Sequence, residues 1–159
     1  MKLPLVFLFL LPFLAVAGPE TDAAKKQAQQ CADASVAKDY DKVIEFTHPA
    51  LVKLAGGKEA LRKALEAAMK QAAELGVSIE NTSIRGATEP KTVGKALVCL
   101  VTQDATVRTG NGKLTQESTL IAYSYDKGKN WVFADTAEMN QNNRDAVTQK
   151  LLSDLAKSI

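Results

Sequence analysis

The chain has 159 residues, 46% of them hydrophobic and 24% charged, with a formal net charge of +2. That is the size and composition of one ordinary globular domain, long enough to bury a core without metals or staples. Lysines are interleaved with Glu and Asp rather than gathered into a basic stripe, which argues against a nucleic-acid reader, and no linker or internal repeat marks a second domain.

The first element is an export signal. Lys2 supplies a short positive region, Leu5 to Leu14 form an apolar run interrupted by Pro12, and Ala15-Val16-Ala17 places small residues where signal peptidase reads them. Cleavage after Ala17 divides the chain into a signal peptide, 1–17, and a single domain, 18–159. The apolar run is shorter than the ~20 residues of a membrane-spanning helix, so the expectation is an exported protein, periplasmic or extracellular, with no membrane attachment once the signal is removed.

After the signal the chain reads as helical. Asp22 to Ala37 places Ala24, Ala28, Cys31, Ala32 and Ser35 on one face, a small-residue contact stripe. Asp41 to Phe46 forms a short second helix that Thr47-His48-Pro49 ends, because the residue before proline is pushed out of the α region. Ala50 to Leu54 reads as a short strand, and Ala55-Gly56-Gly57 as a turn. The next helix is the most regular: Leu61, Ala64, Leu65, Ala68, Met69 and Ala72 share a face that predicts packing on a sheet, with Leu75-Gly76 as its stop.

From Val77 the period becomes strand-like. Val77–Arg85, Lys95–Arg108, Leu114–Tyr125 and Trp131–Glu138 are rich in β-branched and aromatic residues. Glu89-Pro90-Lys91, Gly110-Asn111-Gly112 and Asp126-Lys127-Gly128-Lys129 separate them as turns, which predicts consecutive antiparallel hairpins. Asn142 caps a last helix carrying Val147, Leu151, Leu152, Leu155 and Ile159 on one face. Helices, then a strand meander, then a closing helix predict an α+β domain.

The run Asp39-Tyr40-Asp41-Lys42-Val43-Ile44-Glu45-Phe46, then Gly56-Gly57-Lys58-Glu59-Ala60-Leu61, then Asn130-Trp131-Val132-Phe133 near the end of the meander, resembles the nuclear transport factor 2-like superfamily. That superfamily includes the SnoaL and ketosteroid isomerase types, and the chain most resembles small exported members of unassigned function. The resemblance spans roughly Ala23 to Ala137. It implies a strongly curved antiparallel sheet wrapped around helices, a cone with an apolar cavity. It does not transfer a function, because this scaffold hosts enzymes, binding modules and assembly domains.

Chemistry is sparse. His48 is the only histidine, and there is no HExxH, CxxC, nucleophile elbow or complete P-loop, so neither a metal nor a cofactor is expected. His48 reads as a general base at the cone mouth or, more simply, as a hydrogen-bonded loop residue. On a regular strand Trp131, Phe133 and Asp135 share one face, where Asp135 is a proton acceptor of the ketosteroid isomerase kind or a strand-end hydrogen-bonding group. No match to those enzymes' Tyr-and-acid oxyanion pair accompanies it. Tyr123 and Tyr125 share a face of the preceding strand, lining the pocket or packing.

The ligand-binding set expected from these readings is Trp131, Phe133, Tyr123, Asp135 and His48. Cys31 and Cys99 stand open between a disulfide, which an exported protein can keep, and two buried thiols. Asn81-Thr82-Ser83 is a glycosylation triplet whose meaning depends on a eukaryotic host. Two functions follow as expectations: a non-catalytic module holding a small apolar or amphipathic ligand or a partner segment, or an isomerase- or cyclase-like enzyme using Asp135 or His48. A homodimer is compatible with either.

Overall fold

The computed structural model describes residues 18–135. The signal peptide expected over 1–17 and the closing helix expected after Asn142 lie outside the described residues. Helices α1 (Pro19–Ala37), α2 (Tyr40–Phe46), α3 (Pro49–Leu54) and α4 (Lys58–Glu74) precede strands β1 (Ser78–Ala87), β2 (Lys91–Val93), β3 (Ala96–Thr109), β4 (Gly112–Ser124) and β5 (Val132–Asp135). The strands form one antiparallel sheet in the order β1-β3-β4-β5, with β2 also pairing β3. The α+β class and the helices-before-sheet order are those the sequence implies. Among the described residues, no helix is long and apolar enough to cross a membrane.

The helices begin where local chemistry allows. Pro19 at the first turn and the acidic pair Glu20 and Asp22 suit the start of α1, and Lys38 ends it in the left-handed region at φ 58°. Asp39 caps α2 by accepting from the Lys42 N–H at 3.2 Å. Ala50 to Leu54, expected as a strand, is helical instead. Pro49 occupies its first turn and the His48 side chain caps it through Nδ1, so the His-Pro step that ends α2 also starts α3.

Sheet curvature originates in β1. Its register against β3 slips between Ile79 and Asn81 and again between Ile84 and Gly86, two bulges that bend the strand. The residues inserted there, Glu80 and Arg85, carry ion pairs across the sheet, to Arg108 and Lys113 and to Asp104 respectively. Hydrogen bonding by Lys113, then by Arg108, holds the Glu80 carboxyl below its ordinary range.

The concave face packs on α1. Ala24, Ala28, Cys99, Val101, Leu120, Ala122, Trp131 and Phe133 form one buried cluster, and the alanines of α1 let its backbone approach the sheet closely. Two glutamines fix the helix in place. Gln27 accepts from the Trp131 N–H at 2.8 Å and donates to the Lys129 carbonyl at 2.8 Å; Gln29 accepts from the Ile84 N–H at 3.0 Å and donates to the Thr82 carbonyl at 2.9 Å. The helix α4, expected on the sheet, meets it at β1, also contacts α2 and α3, and buries no residue fully. The small-residue face of α1 already occupies the concave surface. Glu66 pairs with Arg62 at 3.5 Å and Glu59 with Lys63 at 3.7 Å.

The Asp126–Trp131 loop sets where β5 starts. Asp126 accepts from the Asn130 N–H at 2.8 Å, its side-chain amide at 2.6 Å and the Ser124 hydroxyl at 2.9 Å. The Asn130 backbone and side chain, in that order, hold the Asp126 carboxyl down at about 2 against an ordinary 3.8. A depressed folded-state value contributes stability that is full above the unfolded value and is lost as pH falls toward the folded one. Wild type should therefore be more stable than Asp126→Asn at neutral pH, and denaturation midpoints should converge as pH falls from about 4 to about 2. A gap that stays constant across that window would contradict this role.

Candidate functional site

A cavity of about 320 Å³ lies between the concave face of the sheet and helices α1, α2 and α4. Its apolar wall is built by Phe46 and Phe133, whose rings are 6.2 Å apart, together with Val43, Leu120, Leu65 and Met69. Small residues along one side, Ala28 and Ala32 of α1 and Ala105 of β3, leave the space that larger side chains would fill.

One strip of the wall is polar. Gln103 follows Cys99 and Val101 on the inward positions of β3, and Ser118 and Gln116 precede Leu120 and Ala122 on those of β4. Asp135 follows Phe133 on β5 and also lines the cavity. Gln103 Nε2 donates to Ser118 Oγ at 3.0 Å and to Asp135 Oδ2 at 3.4 Å, so amide, hydroxyl and carboxylate converge on adjacent strands.

The structure brings together only part of the set expected from sequence. Phe133 and Asp135 line the cavity. Trp131 is on the same face but sits in the packed core, 1% exposed, with its indole N–H donating to the Gly128 carbonyl at 3.0 Å. Tyr123 points the other way. It pairs with Val132 across β4 and β5 and belongs to a separate cluster with Ala96 and Ala134, against which Ala50 and Leu51 pack. Burial, and secondarily Tyr125, pushes the Tyr123 hydroxyl up to about 12.

His48 stands with the tyrosines on that opposite face. Its ring lies edge-on to Tyr123 at 4.7 Å, Nδ1 accepts from the Ala50 N–H at 3.2 Å, and Nε2 is 2.8 Å from the Tyr125 hydroxyl. With Nδ1 accepting, a neutral ring carries its proton on Nε2 and donates it to Tyr125. His48 and Asp135 thus serve different faces of the sheet and do not form one acid-base pair.

Cys31 lines the cavity and packs against the core cluster to which the buried Cys99 belongs. Burial raises the Cys99 thiol to about 11, which keeps it protonated and unreactive at neutral pH. Among the described residues no group of three His, Cys, Asp or Glu could hold a metal ion.

Sequence reading missed Gln103, Ser118 and Gln116. The signal was present: each interrupts an otherwise apolar inward row, and a polar residue in such a row marks either a bulge or a lined cavity. No protein-family model matches the chain, and no curated protein shows significant similarity to it.

Proposed function

We propose that this chain is a binding module of the nuclear transport factor 2-like cone type, exported through its N-terminal signal, that holds a small apolar or amphipathic ligand in the cavity above its sheet. The observation that carries this reading is the cavity itself. A partly open cavity of about 320 Å³, walled mainly by aromatic and aliphatic side chains with a few convergent polar groups, has the size and character of a small-molecule site. The curved sheet behind a set of N-terminal helices supports the cone resemblance, and the bulges in β1 supply the curvature such a cone needs.

Titration with N-phenyl-1-naphthylamine, a neutral apolar dye, tests the reading. The expected result is saturable one-to-one binding with a rise in dye fluorescence. Fluorescence that climbs linearly, without saturation, would remove it.

One observation favours a second reading, proton transfer by an isomerase-like enzyme: Asp135, Gln103 and Ser118 meet within hydrogen-bonding range inside the cavity. In that reading Asp135 accepts the proton and the Gln103 amide orients it. His48 takes no part, because its ring faces the tyrosines on the other side. Under this reading Asp135→Asn reduces turnover by orders of magnitude while binding persists; under the preferred one it changes only which ligands bind.

A further inference from the structure

The polar side of the cavity falls into two rows that strand register fixes. In one, Gln103 of β3 pairs with Ser118 of β4 and their side chains are engaged with each other, Gln103 Nε2 donating to Ser118 Oγ and to Asp135 Oδ2. In the other, Thr82 pairs with Ala105 and Ala105 with Gln116, so a hydroxyl and an amide flank one methyl group on the same face of three strands. Thr47 and Ser35, which also line the cavity, direct their hydroxyls to the helical carbonyls of Val43 at 2.8 Å and Cys31 at 3.0 Å. Thr82 differs. It is only 7% exposed, and among the described residues its hydroxyl has no hydrogen-bond partner; the Gln29 side chain bonds its backbone carbonyl instead. Nor is that oxygen sealed in the core as Thr21 Oγ1 is, so it opens on the cavity that Thr82 lines. The Gln116 amide, on an exposed residue at the cavity's edge, likewise has no partner among the described residues.

We infer that the cavity takes neutral amphiphiles whose head both donates and accepts hydrogen bonds, a primary carboxamide being the type, and holds that head between Thr82 and Gln116 over Ala105. This rests on the binding reading above and adds the class of ligand to it. Neighbouring strands lie ~4.8 Å apart, so Thr82 and Gln116 stand roughly 10 Å apart with only a methyl group between them, room for one head group hydrogen-bonded at both ends. A hydroxyl and a primary amide can each donate and accept, so a carboxamide satisfies both flanks at once, whereas an ester on the same chain only accepts. The apolar wall takes the chain equally in both. A cavity without such partners would strip water from the amide uncompensated and favour the more apolar ester, so the sign of the preference reports on the row. Both heads are uncharged, and the comparison does not turn on the charge of Asp135.

The test is displacement of N-phenyl-1-naphthylamine by octanamide and by methyl octanoate at neutral pH. Wild type should bind octanamide at least ~3-fold more tightly than the ester, the effect of about one net hydrogen bond. Thr82→Val keeps the branched shape and leaves no protein group without its partner, and it should lower the amide-to-ester ratio at least ~3-fold. Gln116→Leu should lower the ratio similarly from the other flank; its exposed position keeps the test alive should Thr82→Val fold poorly.

Methyl octanoate binding as tightly as octanamide in wild type, or more tightly, would overturn the inference while leaving the binding reading intact. A ratio unchanged in both variants would overturn it equally, because selection would then not come from Thr82 and Gln116. If the dye itself does not bind, the binding reading fails first and the ligand class falls with it.

Discussion

Replacing Trp131 with alanine is expected to destabilise the protein by ~3–5 kcal/mol, the loss usual for removing a large aromatic from a packed core. Trp131 is 1% exposed, touches the α1 alanines and Phe133 within one cluster, and its indole N–H satisfies the Gly128 carbonyl. Alanine would leave a cavity and strand that carbonyl together. The consequence extends past the hole, because the Trp131 backbone is also the point where Gln27 fastens the end of the loop to α1. A melting temperature lowered by roughly 10 °C or more in a thermal scan is the expected reading for a domain of this size. Leu75→Ala is the control, since Leu75 is 72% exposed and its truncation should lie within ~0.5 kcal/mol of wild type. A Trp131→Ala loss below about 1 kcal/mol would mean the loop and its tryptophan do not anchor the core.

The second large effect concerns binding. Ala105→Phe should lower affinity for N-phenyl-1-naphthylamine by at least ~10-fold. Ala105 lies mid-strand in β3, paired with Thr82 and Gln116, and its methyl group faces the cavity. A phenyl ring there occupies the space a guest would take. Because the ring enters a cavity rather than an occupied core, its cost to stability should fall at or below the ~1–3 kcal/mol of ordinary overpacking. The signature is thus a large loss of affinity with a nearly unchanged melting temperature. Unaltered affinity would place the dye elsewhere, for instance in the more open depression between α2 and α3 lined by Ile44, Val52, Lys53 and Val132.

Much of the architecture was legible because period and punctuation agreed. The alanine stripe of α1 is buried as its 3.6-residue spacing implies, and the four expected strand segments begin within a few residues of the expected positions. What failed did so for identifiable reasons. The segment 50–54 is too short for periodicity to choose between helix and strand, and the decisive feature was Pro49 at a first-turn position behind a side chain able to cap. Tyr123 stands open in the sequence between lining the pocket and packing, and it packs, in the cluster with Ala96 and Ala134. Its actual face depends on cross-strand register, which pairs it with Val132 while Ala122 pairs with Phe133. A loop one residue longer would have reversed that assignment, and such a register cannot be read from strand composition.

The candidate site was half legible. Phe133 and Asp135 were placed on one face by the two-residue repeat alone, and they line the cavity. Gln103 and Ser118 became visible only when three strands were laid side by side, since neither is adjacent to Asp135 in sequence. His48 reads from sequence either as a general base at the cone mouth, because it follows the short helix, or as a hydrogen-bonded loop residue; its Nδ1 serves as a helix cap and its ring packs on Tyr123.

The measurement that bears most directly on the proposed ligand binding in the cavity is amide chemical-shift mapping of the folded protein during titration with decanol. Saturable shifts centred on Gln103, Ala105, Ser118, Leu120 and Phe133 are expected, with Val52 and Lys53 unmoved. Shifts confined to the depression between α2 and α3, or no saturable shifts at any concentration below micelle formation, would contradict it.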